Sequence, residues 1–258
     1  MSVPAAAASA AAAVGLVVNV AGPCISLTLR DGWTVGGAAR GSGARSGSPD
    51  LAAAMEDCLR GLPGDVRIVL LHDLHHLHEH HHDSSEHDCS DLGQWPRVAR
   101  RLSERADLLS VALLTGRTSG LGLALALACD LRVMADDAAL CLTDTRAGRV
   151  PALGTASALV GAVGYANALW LCLTGEPVTA VEAARLGLAA RVVPARELDA
   201  EADRLVTHLL AGPRDAATET KALLAGVAAR NGPAAVRQHE AETDALTRLL
   251  GTPARNAG

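Results

Sequence analysis

The sequence contains very few aromatic residues. Its 258 residues include no Phe, one Tyr and three Trp, and its formal net charge is −5. Proteins that bind single-stranded nucleic acids stack the bases on aromatic side chains, and proteins that bind duplexes need positive charge against the phosphates. We therefore expect no nucleic-acid partner. A core without Phe must be built from Ala, Leu and Val, and the 49 % of apolar residues suffices for such a core.

The chain also has little that indicates export or membrane insertion. No stretch of about 20 residues is clearly apolar enough to predict a membrane span. The Ala-rich start, residues 1–13, has no basic residue of the kind that opens a secretory signal. The six cysteines include no C-x-x-C pair, which favours reduced thiols. We expect a cytoplasmic protein without a membrane partner, in which residues 1–15 form a disordered extension.

Strand-like and helix-like segments alternate along the first three quarters of the chain. Val66–Leu71 and Leu108–Leu114 are continuous apolar runs typical of buried strands, and the Ala/Leu-rich segment 116–130 predicts a buried helix. This alternation predicts an α/β layered core followed by helices. The predicted organisation is a core over residues 16–195, with a His-rich loop at 72–91, and a C-terminal helical region over residues 196–258.

Four segments of the sequence resemble the crotonase (enoyl-CoA hydratase/isomerase) superfamily. They are G-R-T-S-G-L-G-L-A-L-A-L-A-C-D-L-R (Gly116–Arg132), A-G-R-V-P (Ala147–Pro151), L-T-G-E-P-V-T-A-V-E-A-A-R-L-G-L-A-A-R-V-V-P (Leu173–Pro194) and the β-hairpin at Leu16–Leu29. Together they extend the resemblance over about residues 16–250. The resemblance implies an α/β fold with a crotonase-like ββα spiral core and a C-terminal helical region for oligomerisation.

The C-terminal region carries an apolar stripe that suits such an interface. Its members are Leu205, Leu209, Leu223, Leu224 and Val227. The resemblance implies a homotrimer or hexamer built through these helices. The alternative is that the helices simply cover the core of their own chain.

The helix that begins at Gly120 is the expected centre of the site. Its first N–H groups and the positive end of its dipole point at whatever lies before it, which stabilises a developing oxyanion. The resemblance assigns one oxyanion donor to the backbone N–H of Leu121. It assigns the other to the loop after the early buried strand, near Ser90. Leu121 replaces a Gly that is common in the family, so its side chain should narrow the pocket.

The acid and base groups depart from those of the family's hydratases, which hold a water between two glutamates. Ala124 stands at the first of these positions and Asp144 at the second. One carboxylate can still remove and return a proton next to a thioester, which suits double-bond isomerisation or dehydration better than water addition. A further hypothesis makes His87 a base that works with Asp144. An ordinary hydratase and a non-catalytic partner of another enzyme stay open as alternatives.

The implied substrate is an acyl group carried on CoA or on a carrier protein, and no cofactor is implied. Arg146 and Arg149 flank the site and could contact the phosphates of either carrier, although a solvated pair of arginines is an equal alternative. The segment Gln94–Arg105 resembles crotonases of aromatic polyketide pathways, which would place the substrate in secondary metabolism.

Eight of the ten histidines lie within residues 72–87. Imidazoles bind Zn²⁺ or Ni²⁺, but here many ligands compete and the sequence indicates no regular element that would place any of them. We therefore expect a polar loop and no metal site. Metal storage or sensing by this loop is the alternative.

Overall fold

The structure of the protein is a computed structural model, which describes residues 11–30, 33–35, 45–46, 48–79 and 93–231. The strands are β1 (Leu16–Ala21), β2 (Cys24–Leu29), β3 (Trp33–Val35), β4 (Arg45–Ser46), β5 (Ile68–His72), β6 (His78–Glu79), β7 (Leu109–Leu114), β8 (Arg117–Ser119), β9 (Leu131–Ala135), β10 (Ala139–Cys141), β11 (Val178–Thr179) and β12 (Arg191–Val193). The α-helices are α1 (Ser48–Arg60), α2 (Trp95–Glu104), α3 (Gly120–Ala128), α4 (Thr155–Thr174), α5 (Ala180–Leu186), α6 (Leu198–Leu210) and α7 (Arg214–Asn231). Short 3₁₀ helices form at Leu74–His76, Thr145–Ala147 and Ala195–Glu197.

The main sheet of the described residues has six strands in the order β1-β2-β5-β7-β9-β12. β1 and β2 form the predicted antiparallel hairpin, in which Ala21 lies opposite Cys24. The other neighbours in the sheet pair in parallel. Parallel neighbours need crossover connections, and helices supply several of them here. The expected mixture of α/β layers and C-terminal helices is confirmed.

The sheet is covered on both faces, as the continuous apolar runs of its central strands require. In β5, Val69 and Leu71 join the larger core cluster, which also contains buried residues of α1, α2 and α3. Ile68 and Leu70 face the opposite way and join a smaller cluster with α6. Side chains alternate along a strand, so one apolar run fills two layers.

A second sheet positions the start of α3. Its order is β11-β10-β8, and in the parallel pair of β8 with β10, Ser119 lies opposite Cys141. α3 begins directly after Ser119, and the chain leaves β10 at Cys141 towards Asp144. The N-terminus of α3 and the turn that follows β10 therefore emerge at the same edge of this sheet.

Helix α4 departs from the sequence expectation about membranes. Thr155–Thr174 carries no charged residue and, by length and composition alone, is long and apolar enough to cross a membrane. The expectation that no such stretch exists was wrong. The helix is not continuous, however, because Gly164 has the non-helical angles φ 75° and ψ 165°, which divide it into two parts.

The first described residues also differ from the expected extension. Ala11–Ala13 is helical, and the side chain of Ala11 is fully buried in the larger core cluster. Ala11 is therefore part of the folded core. An Ala-rich run is a good helix former, and its small side chains permit close packing.

Candidate active site

The N-terminus of α3 is where the resemblance places the helix-side oxyanion donor. Gly120 opens the helix with φ 50°, and the side chain of Ser119 makes no capping hydrogen bond to it. Leu121 is buried, as are most residues of this helix. A helix buried in this way is held rigidly by the core, which keeps the direction of its first N–H groups fixed.

The second wall of the site comes from the chain just after β5. A Cβ atom added to Gly122 would lie 2.2 Å from the carbonyl oxygen of Leu74, so the backbone of α3 and the 3₁₀ helix Leu74–His76 touch directly. β6 follows, pairs in parallel with β3 through Thr34 and His78, and also packs against α3. The described chain that borders the start of α3 is therefore residues 74–79.

The sequence expectation placed the loop-side donor further along the chain. Ser90 and His87 lie outside the described residues, so their assignments stay predictions. The segment 74–79 was missed because its histidines indicated a loop without regular structure. The position of this segment directly after the apolar strand β5 is the signal that could have placed it beside α3.

Asp144 lies at the turn after β10, close to the edge where α3 begins. Its backbone carbonyl accepts hydrogen bonds from the N–H groups of Ala147 and Arg149, both at 2.9 Å, and starts the 3₁₀ helix Thr145–Ala147. Its carboxylate lies 4.0 Å from the guanidinium of Arg149, and the two side chains are only 16 % and 24 % exposed. Asp144 is thus a half-buried carboxylate in a fixed turn, and Arg149 balances part of its charge.

The two arginines proposed to contact phosphates have different surroundings. Arg149 contacts Asp144, whereas Arg146 is exposed and packs over Gly175 at the end of α4. A direct ion pair with the carboxylate was not part of the sequence expectation. Contact of either arginine with a phosphate stays a prediction.

Neither Ala124 nor the nearby thiols can replace a second carboxylate. Ala124 is buried, and its methyl group has no proton to transfer. Burial raises the pKa of the Cys172 thiol, and the charge of Asp144 raises it further. Burial also raises the pKa of the Cys141 thiol, so both cysteines are protonated and unreactive at neutral pH.

The histidine-rich segment contains a compact group of metal-ligand type. Side-chain ligand atoms of Asp73, His75 and His76 all lie within 4.8 Å of one another, and all three residues are half-buried. The expectation that no regular element places any histidine was wrong, because His75 and His76 belong to the 3₁₀ helix Leu74–His76.

A separate surface cavity of about 560 Å³ lies between α1 and α2. Five arginines and two glutamates line it, and none of the predicted site residues is among them. Arg101 donates to Glu56 at 2.7 Å, and Arg105 pairs with Asp107 at the same distance. Charged side chains that line this cavity pair with one another or with neighbouring carboxylates, and we regard it as a surface groove separate from the candidate site.

Comparisons with known proteins show the family and the fold of this chain. The family model described as enoyl-CoA hydratase/isomerase matches residues 77–253. A Thermobifida fusca structure, titled a "putative enoyl-CoA hydratase" in complex with CoA, is 32 % identical at a TM-score of 0.73, covering 96 % of this chain and 97 % of that one. A T. fusca structure in complex with acetoacetyl-CoA is 31 % identical at a TM-score of 0.73, covering 97 % of this chain and 100 % of that one.

Similarity to curated proteins is confined to parts of the chain. The enoyl-CoA isomerase/hydratase claC of Penicillium crustosum is 44 % identical over 86 residues, which are 33 % of this chain and 10 % of the fungal protein. The matches described for the curated relatives span less than half of each relative's own length.

Proposed function

Because the chain belongs to the enoyl-CoA hydratase/isomerase family, we propose that it catalyses enolate chemistry on acyl thioesters with Asp144 as its one proton-transferring carboxylate. Family membership and the crotonase-like fold predicted from the sequence are confirmed. One observation carries the proposal. The start of α3 and the half-buried Asp144 emerge at the same sheet edge, through the register of Ser119 with Cys141.

The start of α3 binds the thioester oxygen in this proposal. The backbone N–H of Leu121 donates to the oxygen, and a second N–H comes from the loop side. The neighbouring segment His78–Glu79 is a candidate for this second donor beside the predicted Ser90, because it packs against α3. As a proton leaves the carbon next to the carbonyl, negative charge develops on the oxygen, and the fixed N–H dipoles stabilise it.

Asp144 moves the proton. Its carboxylate accepts the proton from the α carbon, or from the γ carbon of an α,β-unsaturated chain, and the electron pair of the C–H bond forms the enolate. Returning the proton to the other end of the conjugated system shifts the double bond. In a β-hydroxyacyl substrate, the enolate expels the hydroxyl group, which takes the proton from Asp144 and leaves as water.

The absence of a carboxylate at Ala124 favours these reactions over hydration. Water addition in the family's hydratases uses two carboxylates, whereas a buried methyl group stands at the first position here. Arg149 keeps Asp144 oriented, since the two largely buried side chains face each other at 4.0 Å.

Solvent deuterium exchange into a panel of enoyl-CoA and β-hydroxyacyl-CoA thioesters tests this function. Wild-type protein should introduce deuterium at the α or γ carbon, and Asp144→Asn should lower the rate by about 100-fold or more. Asp137→Asn, an exposed carboxylate outside the site, is the matched control and should leave the rate unchanged. Equal exchange by Asp144→Asn and wild type would overturn the assignment. Adding poly-β-ketoacyl thioesters to the panel tests the polyketide substrate class.

A non-catalytic role is the second candidate. Ala124 and Leu121 are both departures that weaken a catalytic reading, and they favour a crotonase-fold partner that assists another enzyme. In that case no thioester in the panel would exchange, and the protein would co-purify with an enzyme from its native source.

We also propose that the chain forms a homotrimer or a hexamer, although the surface involved differs in part from the expected stripe. Leu205 and Leu209 pack against the smaller core cluster of their own chain. Leu223 and Leu224 on α7, from the expected stripe, are exposed, and so are Tyr165, Leu169, Trp170 and Leu173 on the second half of α4. Light scattering should give a trimer or a multiple of it, and Trp170→Glu with Leu173→Glu should reduce the mass to that of a monomer.

A further inference from the structure

The turn between β5 and β6 holds three side chains that together suit a metal ion. Asp73 supplies a carboxylate oxygen, and His75 and His76 each supply an imidazole nitrogen, with the ligand atoms within 4.8 Å of one another. The rings of His75 and His76 lie side by side, with centroids 3.9 Å apart. Two imidazoles and one carboxylate form a donor set typical of zinc and of neighbouring transition metals.

Thr115, at the end of β7, links two of these groups. Its hydroxyl oxygen lies 3.0 Å from Nδ1 of His75 and 3.4 Å from Oδ1 of Asp73. The hydroxyl can donate to the Asp73 carboxylate while it accepts from Nδ1–H of His75. In the tautomer that carries its proton on Nδ1, His75 has the lone pair on Nε2, the nitrogen that would bind the metal.

The backbone around the three residues is fixed from two sides. Asp73 has a left-handed backbone with φ 59°, a conformation that Asp tolerates better than most residues. Gly116 lies against the ring of His75, since a Cβ atom there would be 3.4 Å from the ring. On the other side, the carbonyl of Leu74 lies against Gly122 of α3. The cluster is therefore built on the rigid core.

We propose that Asp73, His75 and His76 form a binding site for a divalent transition metal of the Zn²⁺ or Ni²⁺ type. Tetrahedral Zn²⁺ with these ligands needs donor atoms about 3.4 Å apart. Side-chain rotations that move the ligand atoms by about 1 Å would bring them to this spacing. Three protein ligands leave a fourth position for water. Thr115 acts as a positioning residue that holds His75 and Asp73.

Metal binding at this site fixes the turn that leads into β6. Residues 74–79 border the N-terminus of α3, so the metal ties the loop wall of the candidate active site to the end of β7. Binding to the folded state alone raises the melting temperature with metal concentration. This inference does not depend on the acyl-thioester chemistry, because the metal is measured directly.

Zinc titration of the full chain without a purification tag tests the proposal, with isothermal calorimetry as the readout. Wild-type protein should bind one Zn²⁺ at a site that Asp73→Asn and the double variant His75→Gln/His76→Gln each weaken by about 100-fold. Thr115→Val, which keeps all three ligands, should weaken binding about 10-fold. Circular dichroism of each variant verifies that it is folded.

The control removes four of the six other histidines in residues 72–87. The variant His80→Gln/His81→Gln/His82→Gln/His87→Gln leaves the three ligands in place and should keep the one-to-one stoichiometry. His208→Gln on α6, an exposed position, should also change nothing. Unchanged affinity in Asp73→Asn, or loss of the site in the quadruple variant, would overturn the proposal in favour of nonspecific chelation by the His-rich run.

Discussion

The two ends of helix α3 differ in whether side chains form hydrogen bonds with their backbone groups. At the C-terminal end, the Arg132 guanidinium donates to the carbonyls of Ala126 and Cys129 at 3.2 Å and 2.8 Å. These two carbonyl groups therefore have a side-chain hydrogen-bond donor. At the N-terminal end, the Ser119 side chain makes no capping hydrogen bond, and the helix starts at a Gly with positive φ. Only the second end presents the N–H dipoles that a reaction can use.

The C-terminal end is also anchored by a network that reaches across the sheet. The N–H of Ser110 donates to Asp130 at 2.8 Å, and the N–H of Asp130 donates back to the Ser110 hydroxyl at 2.9 Å. Lys221 on α7 donates to the same carboxylate and to the carbonyl of Leu108, both at 2.7 Å. Burial raises the pKa of the adjacent Cys129 thiol to about 12, so this thiol contributes packing and not reactivity.

The C-terminal end of α3 therefore contributes mainly to folding stability, and the N-terminal end is the part that can take part in a reaction. Polar groups at the C-terminal end have partners, so they contribute to folding. The N-terminal end is held by backbone packing on Leu74 and not by a side-chain cap, which leaves space and dipole for a ligand. Changes at the two ends should therefore produce different losses.

The largest effect on stability is expected at Gly122. Gly122→Ala places a methyl group 2.2 Å from the carbonyl oxygen of Leu74, so α3 and the 3₁₀ helix must separate. Overpacking of this kind costs about 3 kcal/mol, and deuterium exchange should fall as well because the oxyanion donor moves. Urea unfolding measures the free energy.

The matched control is Gly161→Ala in the first half of α4. Nothing lies within 4 Å of a Cβ atom added there. Alanine is a better helix former than glycine, so the variant should be more stable by about 0.5–1 kcal/mol. Equal losses at Gly122 and Gly161 would contradict the close approach of α3 to Leu74.

A smaller effect is expected at the opposite end. Lys221→Met removes the cation from the part-buried Asp130 carboxylate and the donor from the Leu108 carbonyl, which should cost about 2 kcal/mol of unfolding free energy. Deuterium exchange per folded molecule should stay at the wild-type rate, since the site lies at the other end of α3. Glu219→Gln, an exposed position on the same helix, is the control. A loss of exchange without a loss of stability would reverse the division between the two ends.

The smallest effect is expected in the pH dependence of the unfolding free energy, through His72 at the end of β5. Burial lowers the pKa of His72 below its usual 6.5, although Asp199 and Asp73 partly oppose this, and its Nε2 is buried without a hydrogen-bond partner among the described residues. The unfolded chain binds a proton at this residue near pH 6.5 and the folded chain does not, so stability falls as pH drops below about 6.5.

His72→Gln should remove part of this fall, no more than about 1.4 kcal/mol per pH unit, in urea unfolding between about pH 7.5 and about pH 5.5. His208→Gln, exposed on α6, should keep the wild-type dependence. If both variants retain the same slope, the pH dependence belongs to other histidines.

Much of the fold could be predicted because its signals are local. The hairpin, the buried strands and α3 follow from apolar runs, and the Thr179 side chain caps α5 by accepting from the N–H of Glu182, a role that Thr commonly has before a helix. The position of Asp144 near α3 followed from a resemblance in spacing. These inferences need only neighbouring residues or a known pattern.

Features that depend on distant partners could not be predicted. The contact of Lys221 with Asp130 spans 91 residues, and the ion pair of Asp144 with Arg149 depends on how one turn folds back. The surroundings of the few aromatic residues also became known only from the structure. Trp95 is buried in the larger core cluster, whereas Trp170 and Tyr165 are exposed on α4.

The anchoring of α7 also gives the protein a built-in chemical probe. Lys221 is the only lysine in the sequence, and its side chain is 10 % exposed while it pairs with Asp130. Amine-directed reagents therefore find one ε-amine, and they find it protected whenever α7 is docked. The rate of acylation at Lys221 therefore measures how often α7 leaves its contacts with Leu108 and Asp130, without any engineered residue.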